Sequence, residues 1–114
     1  MKVAIIGSRN AKQFDISRME KDLPENCTLL LSGGAIGIDR MVEKFAKIKR
    51  IPIRVFLPDY NTHGKRAPLI RNTELVAAAD EVIAYWDFRS HGTAFTIHEC
   101  IRLGVPVRVI GISD

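Results

Sequence analysis

The sequence predicts an α/β protein: a parallel sheet of five strands with helices packed on both faces, a three-layer sandwich. Three observations carry this. Short apolar runs rich in Val and Ile recur along the chain, the segments between them have helical period, and the two kinds alternate as β-α-β-α-β-α-β-α-β. A strand buried on both faces shows no polar alternation, and parallel neighbours need a crossover long enough to hold a helix. Right-handed crossovers then place helices on each side of the sheet. With 114 residues, 46% of them hydrophobic, the chain has the size of one domain, and residues 1–114 are expected to share one core.

The strands are VAIIG at 3–7, TLLLSGG at 28–34, IRVF at 53–56, EVIAYW at 81–86 and VPVRVIG at 105–111. The first helix is expected over Asp15–Leu23, opened by an Asp15 cap or a Ser17/Glu20 capping box and stopped by Pro24. The second carries Ile38, Met41, Val42, Phe45 and Ile48 on one stripe at three- and four-residue steps. The third begins near Pro68, a favoured first-turn residue, and turns Leu69, Leu75, Val76 and Ala79 inward before Asp80. The last runs from near Gly92 to Gly104 with Thr93, Ile97, Cys100 and Ile101 along one face. Between the third strand and the third helix, LPDYNTHGKR (57–66) reads as an irregular loop, either a lid over a ligand or a surface connection.

No apolar run approaches the roughly 18 residues of a membrane helix, and MKVAIIGSRN passes directly into a strand. A cytoplasmic location without a membrane partner is expected. The net charge of +4 and a pI near 9.3 suit an anionic ligand. Lys44, Lys47, Lys49, Arg50 and Arg54 crowd one stretch, however, which a solvated face also explains. Cys27 and Cys100 lack CxxC or Cys/His pairing and read as buried thiols, and His63, His91 and His98 lack metal-ligand spacing, so neither a metal site nor a cofactor is assigned.

Open parallel sheets bind ligands beyond the C-terminal ends of their strands, where helix N-termini converge with unpaired N–H groups. The first strand ends in Gly7-Ser8-Arg9, a tight turn followed by two anion donors. The second ends in Ser32-Gly33-Gly34-Ala35-Ile36-Gly37-Ile38-Asp39, which matches neither GxGxxG nor the P-loop pattern but lets backbone amides approach a phosphate. Asp39, in the first turn of the next helix, suits the helix dipole, a ribose hydroxyl or the neighbouring loop. The fourth strand leads through Trp86 and Phe88, which either stack on a base or belong to the core, to Ser90, Gly92 and Thr93, a second phosphate-binding helix start. Arg71 and Asn72 lie one turn into the third helix, where a guanidinium suits phosphate, although surface solvation explains it too. Among Asp39, Asp59, Glu74, Asp87 and Glu99 no spacing pairs two carboxyls on one helical face, so an acid–base role would fall to Asp39 or Glu74.

GSR after the first strand, SGGAIGID after the second, GKRAPLIRN before the fourth and SHGT after it together resemble the SLOG superfamily. These Rossmann-like domains include the DprA/Smf DNA-processing proteins, the Lonely Guy phosphoribohydrolases and small stand-alone YspA-like proteins, and the resemblance is strongest to the last. It covers nearly the whole chain and implies strand order 3-2-1-4-5 and a nucleotide or nucleotide-derived ligand. By the same resemblance Ser32, Gly33, Gly34 and Ala35 cradle phosphate with Gly92 and Thr93, while Gly7, Ser8 and Arg9 flank it and Arg71 and Asn72 complete an RN motif. The Lonely Guy pattern PGGxGTxxE puts a catalytic glutamate where this chain has Thr96. A hydroxyl cannot replace that carboxylate, so nucleotide hydrolase or N-glycosidase activity is the alternative rather than the leading expectation. Single-stranded DNA binding of the DprA type stands third: the charge allows it, but only 7% of residues are aromatic. Related domains self-associate, which makes a homodimer the expected assembly.

Overall fold

The computed structural model describes residues 1–113. Its strands are β1 (Lys2–Gly7), β2 (Leu29–Ser32), β3 (Ile53–Val55), β4 (Glu81–Trp86) and β5 (Val107–Gly111). Between them lie α1 (Ser17–Asp22), α2 (Ile38–Lys49), α3 (Tyr60–His63), α4 (Ala67–Ala78) and α5 (His91–Leu103), with a 3₁₀ turn at Gly64–Arg66 leading into α4. All pairings are parallel and the order is β3-β2-β1-β4-β5, a Rossmann-like sheet in the order the sequence implied.

The central strand explains the layering. Val3 and Ile5 enter one core with Met19, Val42, Phe45 and Tyr85, whereas Ala4 and Ile6 enter the other with Leu75, Val76, Val82 and Cys100. Alternate side chains of a strand point to opposite faces, so one continuous apolar run serves two cores. Each fully buried aliphatic side chain contributes about 1.5–3 kcal/mol. No helix among the described residues is long and apolar enough to cross a membrane.

Several sequence expectations fail locally. Ile48 is exposed because, at 100° per residue, it stands roughly 100° from the centre of the stripe formed by Ile38, Val42, Phe45 and Ala46. Leu69 and Ile101 are also exposed; on α5 Thr93 and Cys100 point inward as expected, and Thr96 and Glu99 join them in place of Ile101. Glu99 is tolerated there because it accepts from Thr73 Oγ1 at 2.7 Å and from Arg102 Nε at 2.7 Å. Helix α1 has no side-chain cap: Asp15 Oδ1 accepts from Ser17 N at 2.9 Å in a turn that precedes the helix, and no capping box forms. Segment 57–66 is irregular only over residues 57–59, and the rest is helical. Asp59 caps α3 by accepting from Thr62 N at 3.1 Å and Thr62 Oγ1 at 2.8 Å, so local hydrogen bonding orders a stretch that has no apolar period.

The basic stretch on α2 is a solvated face, with Lys44, Lys47, Lys49 and Arg50 all exposed and Lys49 paired with Glu20. Both cysteines are free. Cys100 is buried, and Cys27 is half-buried with its thiol toward Leu29 O.

Candidate functional site

Because every strand runs the same way, the loops after β1, β2 and β4 meet at one edge. A cavity of about 310 Å³ opens there. Its walls include Gly7 and Arg9, Gly33 and Ala35, Asp39, Arg71 and Asn72, and Ser90, Gly92 and Thr93, so ten of the residues singled out from the sequence are brought together. Leu69 and His91 also line it; the histidine was overlooked because nothing but its place before Gly92 marks it.

Three expected residues are not part of this wall. Ser8 is wholly buried: its N–H donates to Tyr85 O at 3.0 Å and its Oγ accepts from Asp87 N at 3.0 Å. Ser32, equally buried, donates from Oγ to Asp39 O at 3.3 Å and accepts from Gly34 N at 3.4 Å. Both hydroxyls hold loops in shape instead of facing a ligand. Gly34 has φ +72°, and a Cβ there would lie 2.8 Å from Val55 Cγ1, so the fold itself requires this glycine. Glu74 is exposed on α4, outside the cavity, and therefore drops out as a candidate acid.

Arg71 organises the centre. Its Nε donates to Asn72 Oδ1 at 2.7 Å, and its Nη1 donates to Gly33 O and to Phe56 O, the latter at 3.3 Å. One guanidinium thus ties the loop after β2 to the end of β3, while Nη2 has no partner among the described residues. Beside it, Asp39 Oδ2 accepts from Ala35 N at 3.1 Å. Burial pushes the Asp39 pKa up to about 6, against the opposing effects of the Ala35 N–H and the Arg71 charge. Among the described residues Asp39 is the one carboxyl lining the cavity, so acid–base work in hydrolysis or N-glycosidic cleavage at this place would fall to it and to His91.

The third wall is the start of α5. Asp87 Oδ1 accepts from Arg89 N at 2.9 Å and Ser90 N at 2.8 Å, hydrogen bonds that pull its pKa down to about 2 and set the turn into the helix. The N–H groups of His91, Gly92 and Thr93 follow with no acceptor among the described residues. Thr96 spends its hydroxyl on Gly92 O at 3.0 Å. Trp86 Nε1 donates to Ser90 O at 3.0 Å and supports the loop from outside. Phe88, at φ +64°, lies against Trp86 and over Gly111, so neither aromatic lines the cavity as a base platform.

The glycines separate by function. A Cβ on Gly7 would stand 2.6 Å from Tyr85 O, and one on Gly33 would stand 2.9 Å from Asp39 Oδ2, so packing demands both. A Cβ on Gly92 would meet nothing within 4 Å. The fold does not need that glycine, which keeps the cavity mouth open over the free N–H groups.

Asp39 makes a pH prediction. Its folded pKa, about 6, lies above the ordinary value of 3.8, so the folded state holds the proton more tightly and stability falls as pH rises through that window. In wild type minus Asp39→Asn, urea unfolding is expected to show a relative loss of about 3 kcal/mol in all between about pH 3 and 7, about 2 kcal/mol of it between pH 4 and 6. A flat difference across that range refutes the burial of an ionising carboxyl.

The cavity lies beyond the strand ends of a doubly covered parallel sheet, and the fold it belongs to is that of DNA processing protein A. A chain of that protein from Helicobacter pylori, solved in work on its single-stranded DNA binding mode, superposes with a TM-score of 0.75 at 23% identity. The match takes in 96% of the present chain, which spans 64% of the length of that one. No protein-family model matches the sequence. The gene 61 protein of Mycobacterium phage D29 is 33% identical over 85 residues, covering 69% of this chain and 68% of the phage protein. The chain belongs to the family of that gene 61 protein.

Proposed function

We propose that the protein binds a phosphate-bearing nucleotide or nucleotide derivative in the cavity at the C-terminal edge of its sheet. The observation that carries this is the convergence on one cavity of the unpaired N–H groups opening α5, the exposed Arg9 and the unused Nη2 of Arg71. A helix N-terminus and two guanidinium groups favour an anion, and oxygens of a phosphate satisfy both. The four short motifs in the order of YspA-like domains support the same reading.

The test is the melting temperature against AMP, GMP, ATP, ADP-ribose, NAD and cyclic dinucleotides. A ligand at 100 times its dissociation constant stabilises by about 2.7 kcal/mol, a shift of roughly 10 °C for a domain of this size. Gly92→Ala is expected to keep or slightly raise stability, within about 1 kcal/mol, yet to weaken the active compound about tenfold, because its methyl enters the cavity mouth. Gly34→Asp is not a usable substitute, since the strained backbone would fail before the site was tested. No shift with any compound overturns the reading.

Single-stranded DNA is the second reading, favoured by the shared fold of a DNA-binding neighbour. It predicts oligonucleotide retention that weakens steeply with salt, as condensed counterions are released on binding.

A further inference from the structure

A second cleft of about 300 Å³ adjoins the main cavity, with Arg9, Gly33 and Arg71 in their common wall. Its far side is built from Ile36, Pro58 and Tyr60. Ile36 is 54% and Tyr60 60% exposed, an apolar wall left open to water. The Tyr60 hydroxyl makes no hydrogen bond among the described residues, and its ring belongs to neither hydrophobic core. Tyr60 is also the first residue of α3, and the Asp59–Thr62 cap holds it on a short ordered turn rather than a free loop.

The cleft therefore combines exposed apolar and aromatic side chains, Ile36, Pro58 and Tyr60, with two cations, Arg9 and Arg71, that it shares with the cavity next door. A planar base fits the first and its anionic linkage fits the second. A ligand of two nucleotide units joined across Arg9 and Arg71 would occupy both compartments.

We propose that this cleft is a base-stacking subsite, formed by Tyr60, for the second unit of a ligand made of two nucleotides joined through phosphate. The inference rests on the nucleotide reading of the main cavity. Such a ligand comes either from a nucleic-acid strand, with a 3′,5′ linkage, or from a soluble dinucleotide.

The experiment is calorimetric titration of the full chain with the four 5′-deoxynucleoside monophosphates, the matching 5′-phosphorylated 3′,5′-linked dinucleotides, AMP and NAD. At least one two-unit compound is expected to bind about tenfold more tightly than its mononucleotide half, the size of a base–aromatic stack. Tyr60→Ala is expected to erase that gain and leave mononucleotide affinity unchanged, and Tyr60→Phe to retain it. A gain with the 3′,5′-linked compounds identifies a strand as the source, and a gain with NAD a soluble dinucleotide. Two-unit compounds that bind no better than their halves, or a Tyr60→Ala loss that is equal for both, overturn the second subsite and leave the main cavity standing. Absence of binding by every compound overturns both.

Discussion

Arg71→Met is expected to lower stability by about 3–5 kcal/mol and to abolish nucleotide binding together. The buried Gly33 carbonyl and the half-buried Phe56 carbonyl lose their donor, and an unsatisfied buried acceptor costs about 1–3 kcal/mol, more where the lost partner was charged. Asp39 loses its nearest compensating charge as well, so its carboxyl becomes still harder to ionise. For a protein whose whole stability is of order 5–15 kcal/mol, this leaves a marginal fold. Arg71→Lys restores the charge but cannot hold both carbonyls, Asn72 Oδ1 and a ligand through one nitrogen, and should recover less than half the loss. Urea midpoints at pH 7 and calorimetric titration on the same samples measure both effects. A methionine variant that stays folded and binds normally would reduce Arg71 to a strut.

The second large effect is expected at Gly37. Its φ of +82° and ψ of −129° suit glycine alone, and a Cβ there would stand 2.5 Å from Ser8 O. Backbone strain of about 1–3 kcal/mol and overlap of similar size add, so Gly37→Ala should lose roughly 3–6 kcal/mol. The loop after β1 and the start of α2 would be pushed apart, and Arg9 with them. Gly64→Ala is the control: its φ of +58° and ψ of −136° carry similar backbone strain, but a Cβ there meets nothing within 4 Å, so only that strain of about 1–3 kcal/mol remains. Equal losses at the two positions would show that close approach plays no part.

These glycines also mark how far the sequence could be read. Val3–Ile6 was legible because burial on both faces leaves a strand no polar position, and the helix stripe of Ile38, Val42 and Phe45 was legible by its period. The strand-end loops were legible as a place, and Arg9, Arg71 and Gly92 do meet there. What each residue does in that place was not. Ser8 and Ser32 have the composition of phosphate donors, yet the direction of a side chain in a loop is set by tertiary contacts, and both turn inward. In the same run of glycines Gly33 lines the cavity while Gly34 and Gly37 are held at positive φ outside its wall, a difference that composition does not reveal. Helix α3 escaped notice because it has no apolar period, although Asp59 three residues before Thr62 is a cap signature. Tyr60 went unweighed for the same reason.

Parallel strands give the molecule two unlike rims, and this decides where probes belong. Met1 is anchored by its amino group to Asn26 O at 2.9 Å on the rim where strands begin. Ile112 N donates to Trp86 O at 2.9 Å on the rim where they end, beside the turn into α5. The six residues of β1 separate those rims by roughly 20 Å. A purification tag at the amino terminus therefore stays clear of ligand, while a fluorophore on Ser113→Cys stands on the rim where the strands end, the rim that carries the cavity. Burial raises the pKa of both native thiols, so the introduced cysteine takes up the dye first.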